Sequence, residues 1–229
     1  MARRERPTRG VQAVSATVAS PHIRRVLPFF DPLDQDQLEK LEAQVDWMIE
    51  NIGVAFRDDP VALDIWRKAG VEPTGEHGDL IKADAQLIRD LVAKAPSEFV
   101  QHARNPERSV TIGGTNQVFA PIYGAPFVRD LEGGRRYATF DDYEKLLKLV
   151  YMHPNLHHGS FVICEPTDIP VSKRHLDRVF AQMTLSDKPF LGAITEMSRA
   201  QDTVDMIDIL FGAERLDRDV CSMANVNTS

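Results

Sequence analysis

Short apolar runs alternate with helical stripes in the C-terminal third of the chain. Residues 160–164 are apolar and rich in β-branched or aromatic side chains, which predicts a strand that is buried on both faces. A second run at residues 190–194 and a third from Val220 have the same character. Each pair of runs is separated by a helical stripe, so the pattern repeats about every thirty residues and indicates βα units with a parallel sheet.

The two helical stripes of this region define which faces should be buried. The first stripe carries apolar residues at helical spacing and should pack them against the sheet: Leu176, Val179, Phe180 and Met183. The second stripe has Ser198 as a candidate N-cap and Gly212 as the residue after its last turn.

Right-handed crossover connections leave a doubly wound sheet or a barrel for such units. Neither strand-to-helix turn carries the glycine-rich fingerprint of dinucleotide-binding folds, so we favour a TIM-type (β/α) barrel within an α/β protein. A complete barrel takes about 250 residues. Residues 158–229 supply only the first βα units, so we expect an incomplete barrel and interpret the chain as an N-terminal fragment.

An α+β cap is predicted before the barrel, over residues 35–157, and a basic flexible arm before that, over residues 1–34. Apolar residues three and four apart predict a helix that begins near Gln35, ends at Gly53 and packs its apolar face on the next helix.

The remainder of the cap is predicted from turn and capping signals. One helix should run from the Asp59-Pro60 pair to Gly70, and another should begin near Asp84. Glycine pairs and Asn-Pro signals between residues 99 and 138 predict a β meander. Thr139 then caps the helix that leads into the barrel.

Charge and composition exclude some functions. A formal net charge of −7 and a pI near 5.5 disfavour nucleic acid as a partner. The sequence has no apolar run long enough to cross a bilayer and no signal-peptide pattern, so we expect a cytoplasmic protein with no membrane partner. Cys164 and Cys221 fall in predicted buried strands and should be free thiols.

No metal site is predicted. His153, His157 and His158 lie close together, but the chain contains no HExxH or CxxC spacing, so we interpret them as loop histidines.

Candidate site residues follow from position, because side chains at the carboxyl ends of parallel barrel strands face the active site. The polar residues at these ends are Glu165, Thr167 and Asp168 after the first strand, Thr195 and Glu196 after the second, and Asn225 and Asn227 after the third. Thr167, Asp168 and Glu196 have a second interpretation, as caps of the helices that follow them.

Several segments together resemble the trimethylamine methyltransferase family. The likeness runs from about residue 37 to residue 229. Its segments are Ile52-Gly53-Val54 followed by Trp66 and Ala69-Gly70, NPERSVTIGG at 105–114, FAPIYGAPFVRD at 119–130, GGRRYATFDDY at 133–143, and EPTDIP at 165–170.

The resemblance implies transfer of a methyl group from a tertiary or quaternary methylated amine to the cobalt of a separate corrinoid protein. The cobalamin would therefore be supplied by a partner, with no cofactor bound directly. Aromatic faces and carboxylates would hold the substrate cation, roles that fit Tyr123, Phe127, Glu165 and Glu196. A betaine would also need a donor for its carboxylate. Full-length members would be expected to form homo-oligomers.

Two alternatives remain open at this stage. In one, the chain is a non-catalytic half-barrel that serves as a binding or interaction module. In the other, it belongs to a different barrel enzyme, a lyase or hydrolase that uses Glu165 as its base.

Overall fold

A computed structural model describes residues 22–224 of the 229-residue chain. The chain divides into two compact units. One unit is Leu27–Ser97, and the other combines the described residues before Leu27 with those after Ser97. The first strand, β1 (Ile23–Arg24), belongs to the second unit although it lies in the predicted flexible arm.

The unit Leu27–Ser97 contains the three predicted helices. Its elements are α1 (Gln35–Trp47), a π-helical turn (Met48–Ile52), β2 (Val54–Ala55), α2 (Pro60–Lys68), β3 (Leu80–Ile81) and α3 (Ala85–Val92). The side chains of Asp34, Asp59 and Asp84 each accept a hydrogen bond from a first-turn amide, so all three helices begin where the sequence predicts. Gly53 ends the first helical segment with φ of 79°.

A small apolar core holds this unit together. Val71, Ile81 and Ala83 are buried, and Trp66 of α2 and Leu87 of α3 are among the side chains that pack against them. The expectation that the whole apolar face of α1 packs is wrong, because much of that stripe is exposed, including Leu38, Leu41, Val45, Met48 and Ile52. Helix α1 meets α3 through an ion pair between Asp46 and Arg89.

The predicted meander forms as short antiparallel strands in the second unit. A four-stranded sheet has the order β1-β6-β5-β4, with β4 (Glu98–Gln101), β5 (Val110–Gly113) and β6 (Asn116–Gln117). A separate hairpin joins β7 (Phe127–Asp130) to β8 (Gly134–Tyr137). Strand β1 pairs with β6, so the end of the predicted arm is part of the sheet.

Four helices follow: α4 (Phe140–Met152), α5 (Arg174–Leu185), α6 (Met197–Phe211) and α7 (Ala213–Leu216). Thr139 caps α4 as predicted, and Asp142 completes a capping box with it. The prediction that Ser198 caps α6 is wrong, because the extended cap residue is Glu196 and Ser198 lies inside the first turn. No helix within residues 22–224 has both the length and the apolar character needed to cross a bilayer.

The predicted strand at residues 160–164 is buried throughout but is not a regular strand. Ser160 has φ of 58°, a left-handed backbone conformation that interrupts an extended segment. The burial prediction is therefore confirmed for this segment, whereas the strand prediction is wrong.

Isolated parallel bridges take the place of a continuous parallel sheet. Leu191 pairs with Met223, and Gln101 of β4 pairs with Val220. The backbone N–H of Leu191 also donates to the Ser160 carbonyl at 3.1 Å. The three apolar runs thus lie side by side, and closure of a barrel around them stays a prediction.

Candidate active site

A cavity of about 560 Å³ lies where the predicted barrel strands give way to α5 and α6. Its volume falls within the range of roughly 300–1,000 Å³ typical of small-molecule sites. The polar and aromatic side chains in its wall are Tyr123, Phe161, Glu165, His175, Arg178, Thr195 and Arg199.

Glu165 is held by two arginines of α5. Arg174 donates to Oε1 and Arg178 donates to Oε2, each at 2.6 Å. The two arginines are four residues apart on the helix, so both can reach one carboxylate from the same face. Because both oxygens are engaged in charge-assisted hydrogen bonds, the arrangement disfavours Glu165 as a general base.

Arg178 is the buried cation of the wall. Its residue is 8% exposed, and its guanidinium lies over the Phe161 ring at 4.5 Å from the centroid. The Nε of this guanidinium is buried and has no hydrogen-bond partner among the described residues. The ion pair with Glu165 therefore leaves part of the donor capacity of Arg178 unused.

His175 lies one turn before Arg178 on α5 and is 3% exposed. Its Nε2 is 2.7 Å from Oδ2 of Asp202 on α6. Its Nδ1 is buried and, like Arg178 Nε, makes no hydrogen bond to any described residue. A carboxylate thus fixes one ring nitrogen and leaves the other without a partner.

A second layer of buried polar groups positions Phe161. The Tyr143 hydroxyl donates to the Phe161 carbonyl at 2.8 Å, and Gln182 Nε2 donates to the Tyr143 hydroxyl at 3.0 Å. Gln182 Nε2 also donates to the Gly159 carbonyl at 3.2 Å. Burial raises the pKa of Tyr143 well above its usual range, so the phenol stays protonated and keeps its donor role.

The α6 side of the cavity is formed by Arg199 and the segment before the helix. Arg199 donates to Thr195 Oγ1 at 3.1 Å and pairs with Glu196 at 2.8 Å. Gly192 allows α6 to come close, because a Cβ atom there would lie only 2.3 Å from Thr203 Cγ2. A glycine at this position therefore sets how near α6 lies to the wall.

Three of the sequence-predicted site residues come together at this cavity. Tyr123, Glu165 and Thr195 all contribute to its wall.

The other predicted residues lie elsewhere. Asp168 Oδ1 accepts from the Phe140 amide at 2.9 Å, so Asp168 supports the start of α4 and not the start of α5. The Phe127 ring packs against the Tyr137 ring in a tilted arrangement, and the Arg135 guanidinium lies 3.6 Å from the Phe127 centroid.

Two further assignments concern caps. The Thr167 hydroxyl donates to the Ala138 carbonyl, next to the start of α4, and Glu196 is paired with Arg199 without making a side-chain cap bond. Asn225 and Asn227 lie outside the described residues.

Sequence reasoning missed His175, Arg178 and Arg199. The apolar stripe predicted for α5 places Leu176 and Phe180 in the core, but Phe180 is 60% exposed. The buried face of α5 instead carries His175, Arg178, Val179 and Gln182. The sequence did contain a signal for this polar buried face, because polar residues recur at helical spacing next to Val179.

Comparison of the sequence with known proteins identifies the family of the chain. The profile of the trimethylamine methyltransferase (MTTB) family matches residues 2–229. The chain is 38% identical over 190 residues to a glycine betaine methyltransferase of Desulfitobacterium hafniense (strain Y51). That alignment covers 83% of the chain and 39% of the relative, so the chain spans about two fifths of the relative's length. A profile match along nearly its whole length means that the chain belongs to the trimethylamine methyltransferase family.

Proposed function

We propose that the chain is part of an enzyme that transfers a methyl group from a betaine, a quaternary amine that carries a carboxylate, to the cobalt of a separate corrinoid protein. Family membership and the 38% identity to a glycine betaine methyltransferase support the reaction class. The charge distribution in the cavity wall supports the choice of a carboxylated substrate.

The observation that carries this proposal is the pair of guanidinium groups in the wall. Arg178 and Arg199 both line the cavity, where Glu165 is paired with Arg174 and Arg178 and Glu196 is paired with Arg199. A substrate with only positive charge would meet guanidinium groups and carboxylates that are already paired. A substrate carboxylate would meet guanidinium donors, which match its geometry and bind it with charge-assisted hydrogen bonds.

In this arrangement Glu165 is a positioning residue. Its two ion pairs fix the side chains of Arg174 and Arg178 on the face of α5 that borders the cavity. The substrate cation is then left to an aromatic face, because trimethylammonium groups bind well over aromatic rings. Tyr123 lines the cavity and fits this role, whereas the Phe161 ring is already covered by Arg178.

In the methyl transfer step these residues need only bind and orient the substrate. A methyl group on a quaternary nitrogen leaves behind a neutral amine, so the transfer step needs no general acid. A reduced corrinoid presented by a partner protein supplies the nucleophile. Arg178, Arg199 and Tyr123 would hold the substrate so that one methyl group points toward that nucleophile.

Methyl transfer to reduced cobalamin, followed by its absorbance change, tests the proposal. We expect glycine betaine to be demethylated and trimethylamine not to be. Arg199→Gln should raise KM for glycine betaine by about 10-fold to 100-fold, since a hydrogen bond to a charged group contributes about 1.5–3 kcal/mol.

Arg218→Gln is the matched control, because the Arg218 side chain is 75% exposed and does not line the cavity. Transfer from trimethylamine in preference to glycine betaine, or an unchanged KM in Arg199→Gln, would overturn the assignment.

A further inference from the structure

We infer that Ser160 is a positioning residue of the candidate active site and acts through its left-handed backbone conformation. Hydrogen bonds from Tyr143 and Gln182 hold this turn, and the turn sets the place of the Phe161 ring. The Phe161 ring in turn orients the guanidinium of Arg178. The inference rests on the proposed function, because Arg178 is one of the two donors assigned there to the substrate carboxylate.

Ser160 adopts a backbone conformation that a residue with a Cβ atom disfavours. Its φ of 58° lies in the left-handed region, where residues other than glycine are uncommon. Asp58 is the other such residue within 22–224, but it lies in an exposed turn. Ser160 is 2% exposed and directly precedes Phe161 of the cavity wall. Because strained backbone clusters at functional sites, this strain points to a role at the cavity.

Two buried side chains hold the backbone on either side of Ser160. The Tyr143 hydroxyl of α4 donates to the Phe161 carbonyl at 2.8 Å, and Gln182 Nε2 of α5 donates to the Gly159 carbonyl at 3.2 Å. Gln182 Nε2 also donates to the Tyr143 hydroxyl at 3.0 Å, which links the two contacts. A Cβ atom at Gly159 would lie only 2.4 Å from Gln182 Oε1, so only glycine allows this close approach.

The peptide groups of Ser160 itself are also paired. Its amide donates to His158 Nδ1 at 2.8 Å, and its carbonyl accepts from the Leu191 amide at 3.1 Å. Leu191 lies in the neighbouring apolar run, so the turn is fixed across the interior as well as locally. Strain persists only where surrounding contacts specify the conformation, and the hydrogen bonds around Ser160 meet that condition.

The turn has a consequence for the cavity wall. Successive side chains of a regular strand point to opposite faces, yet the adjacent residues Phe161 and Val162 both contribute to the wall. The Arg178 guanidinium lies 4.5 Å from the Phe161 centroid and donates to Glu165 Oε2 at 2.6 Å. The Phe161 ring and the Glu165 carboxylate are thus two contacts that orient this guanidinium. A shift of the turn would move the ring away from the guanidinium that it orients.

Substrate kinetics test the role of the turn. Tyr143→Phe removes the hydroxyl that holds the Phe161 carbonyl, so KM for glycine betaine should rise by about 3-fold to 10-fold, as for the loss of one neutral hydrogen bond. The value of kcat should change by less than about twofold, because only binding is affected. Adding Ser160→Gly should recover most of the KM, since glycine adopts positive φ freely. Adding Ser160→Ala is the matched control, which also removes the serine hydroxyl but keeps the Cβ atom and should not recover the KM.

A spectroscopic signal follows the same geometry without substrate. The Nε–H resonance of Arg178 in arginine-labelled protein should carry an upfield ring-current shift, because the guanidinium lies over the Phe161 ring. Phe161→Leu should abolish this shift and so identify it. Tyr143→Phe should reduce the shift, Ser160→Gly should restore it in that background, and Ser160→Ala should not.

The outcomes separate this inference from the proposed function. An unchanged Arg178 resonance in folded Tyr143→Phe, or equal recovery by the glycine and alanine variants of Ser160, overturns the positioning role. If circular dichroism shows that Tyr143→Phe does not fold, Gln182→Met takes its place, because it removes the hydrogen bond to Gly159 at similar side-chain length. Absence of methyl transfer from glycine betaine by the unmodified protein overturns the proposed function, and the Arg178 resonance then decides the positioning role by itself.

Discussion

The two compact units of the protein differ in what they bury. In Leu27–Ser97 every buried residue is apolar: Val71, Ile81, Ala83 and Ala85. In the described part of the other unit, buried polar residues include His158, His175, Arg178, Gln182 and Lys188. Side-chain caps start helices in both units, for example at Asp59 and at Thr139, so the clearer difference lies in the interior.

Burying a polar group costs free energy unless that group finds a partner. Lys188 shows a complete solution: its Nζ donates to the carbonyls of Val150, His153 and Leu156 at 2.6–2.9 Å. Burial lowers the pKa of Lys188 to about 8, so the ammonium group is still largely charged at neutral pH.

His175 and Arg178 show an incomplete solution, because each keeps a buried nitrogen without a partner among residues 22–224. The comparison teaches that the presence of polar groups in an interior does not by itself mark a site. What separates these two residues from Lys188 is a buried nitrogen that makes no hydrogen bond to the described residues.

The largest effect is expected from pH and acts through a buried histidine of the polar interior. Burial lowers the pKa of His158 to about 4. The unfolded chain takes up a proton at this residue near pH 6.5, so between pH 6.5 and pH 4 the unfolded state binds more protons than the folded state. Stability should therefore fall as pH is lowered through this window, by up to about 3 kcal/mol.

Amide hydrogen exchange in α4 and α5 measures this loss, and His158→Gln should flatten it. Both tryptophans, Trp47 and Trp66, lie in Leu27–Ser97, so tryptophan fluorescence follows the other unit independently. His77→Gln, an exposed change in that unit, is the control. An equally steep pH response in His158→Gln would show that other groups cause it.

A smaller effect on stability is expected from replacing one arginine in each unit. Arg178→Met leaves Glu165 with one arginine partner and should destabilise α5 by about 2 kcal/mol. This value is below the usual cost of breaking a buried ion pair, because Arg174 remains and the Glu165 side chain is 30% exposed. Arg67→Met removes an exposed 3.8 Å ion pair with Glu72 and should change the stability of α2 by less than about 0.5 kcal/mol. Hydrogen exchange measured separately in α5 and α2 checks both values. Equal losses of stability in the two helices would contradict the proposed difference between the units.

The smallest effect concerns how closely α6 approaches the cavity wall. Gly192→Ala places a Cβ atom against Thr203 Cγ2 and should destabilise α6 by about 1–2 kcal/mol. Adding Thr203→Ser removes the clashing methyl group but keeps the hydroxyl that contacts Ala193, so the double variant should recover most of the loss. Urea unfolding followed by circular dichroism measures both, and failure of the second change to restore stability would mean that the contact is not limiting.

Local signals in the sequence determined where most helices begin and end. Asp59 with Pro60, Asp84 and Thr139 each start a helix as predicted, because a cap depends only on residues within one turn. The motifs between residues 52 and 170 were also enough to indicate the family, which the profile match confirms.

Tertiary structure decided what the helices bury and what the polar residues do. Asp168 is close in sequence to α5 yet caps α4, because the chain returns to the start of that helix after α4 has ended. Phe180 belongs to the apolar stripe of α5 but is exposed, whereas His175 and Arg178 are buried. A periodic pattern specifies a face, but partners distant in sequence, such as Glu165 and Asp202, determine whether a charged face can be buried.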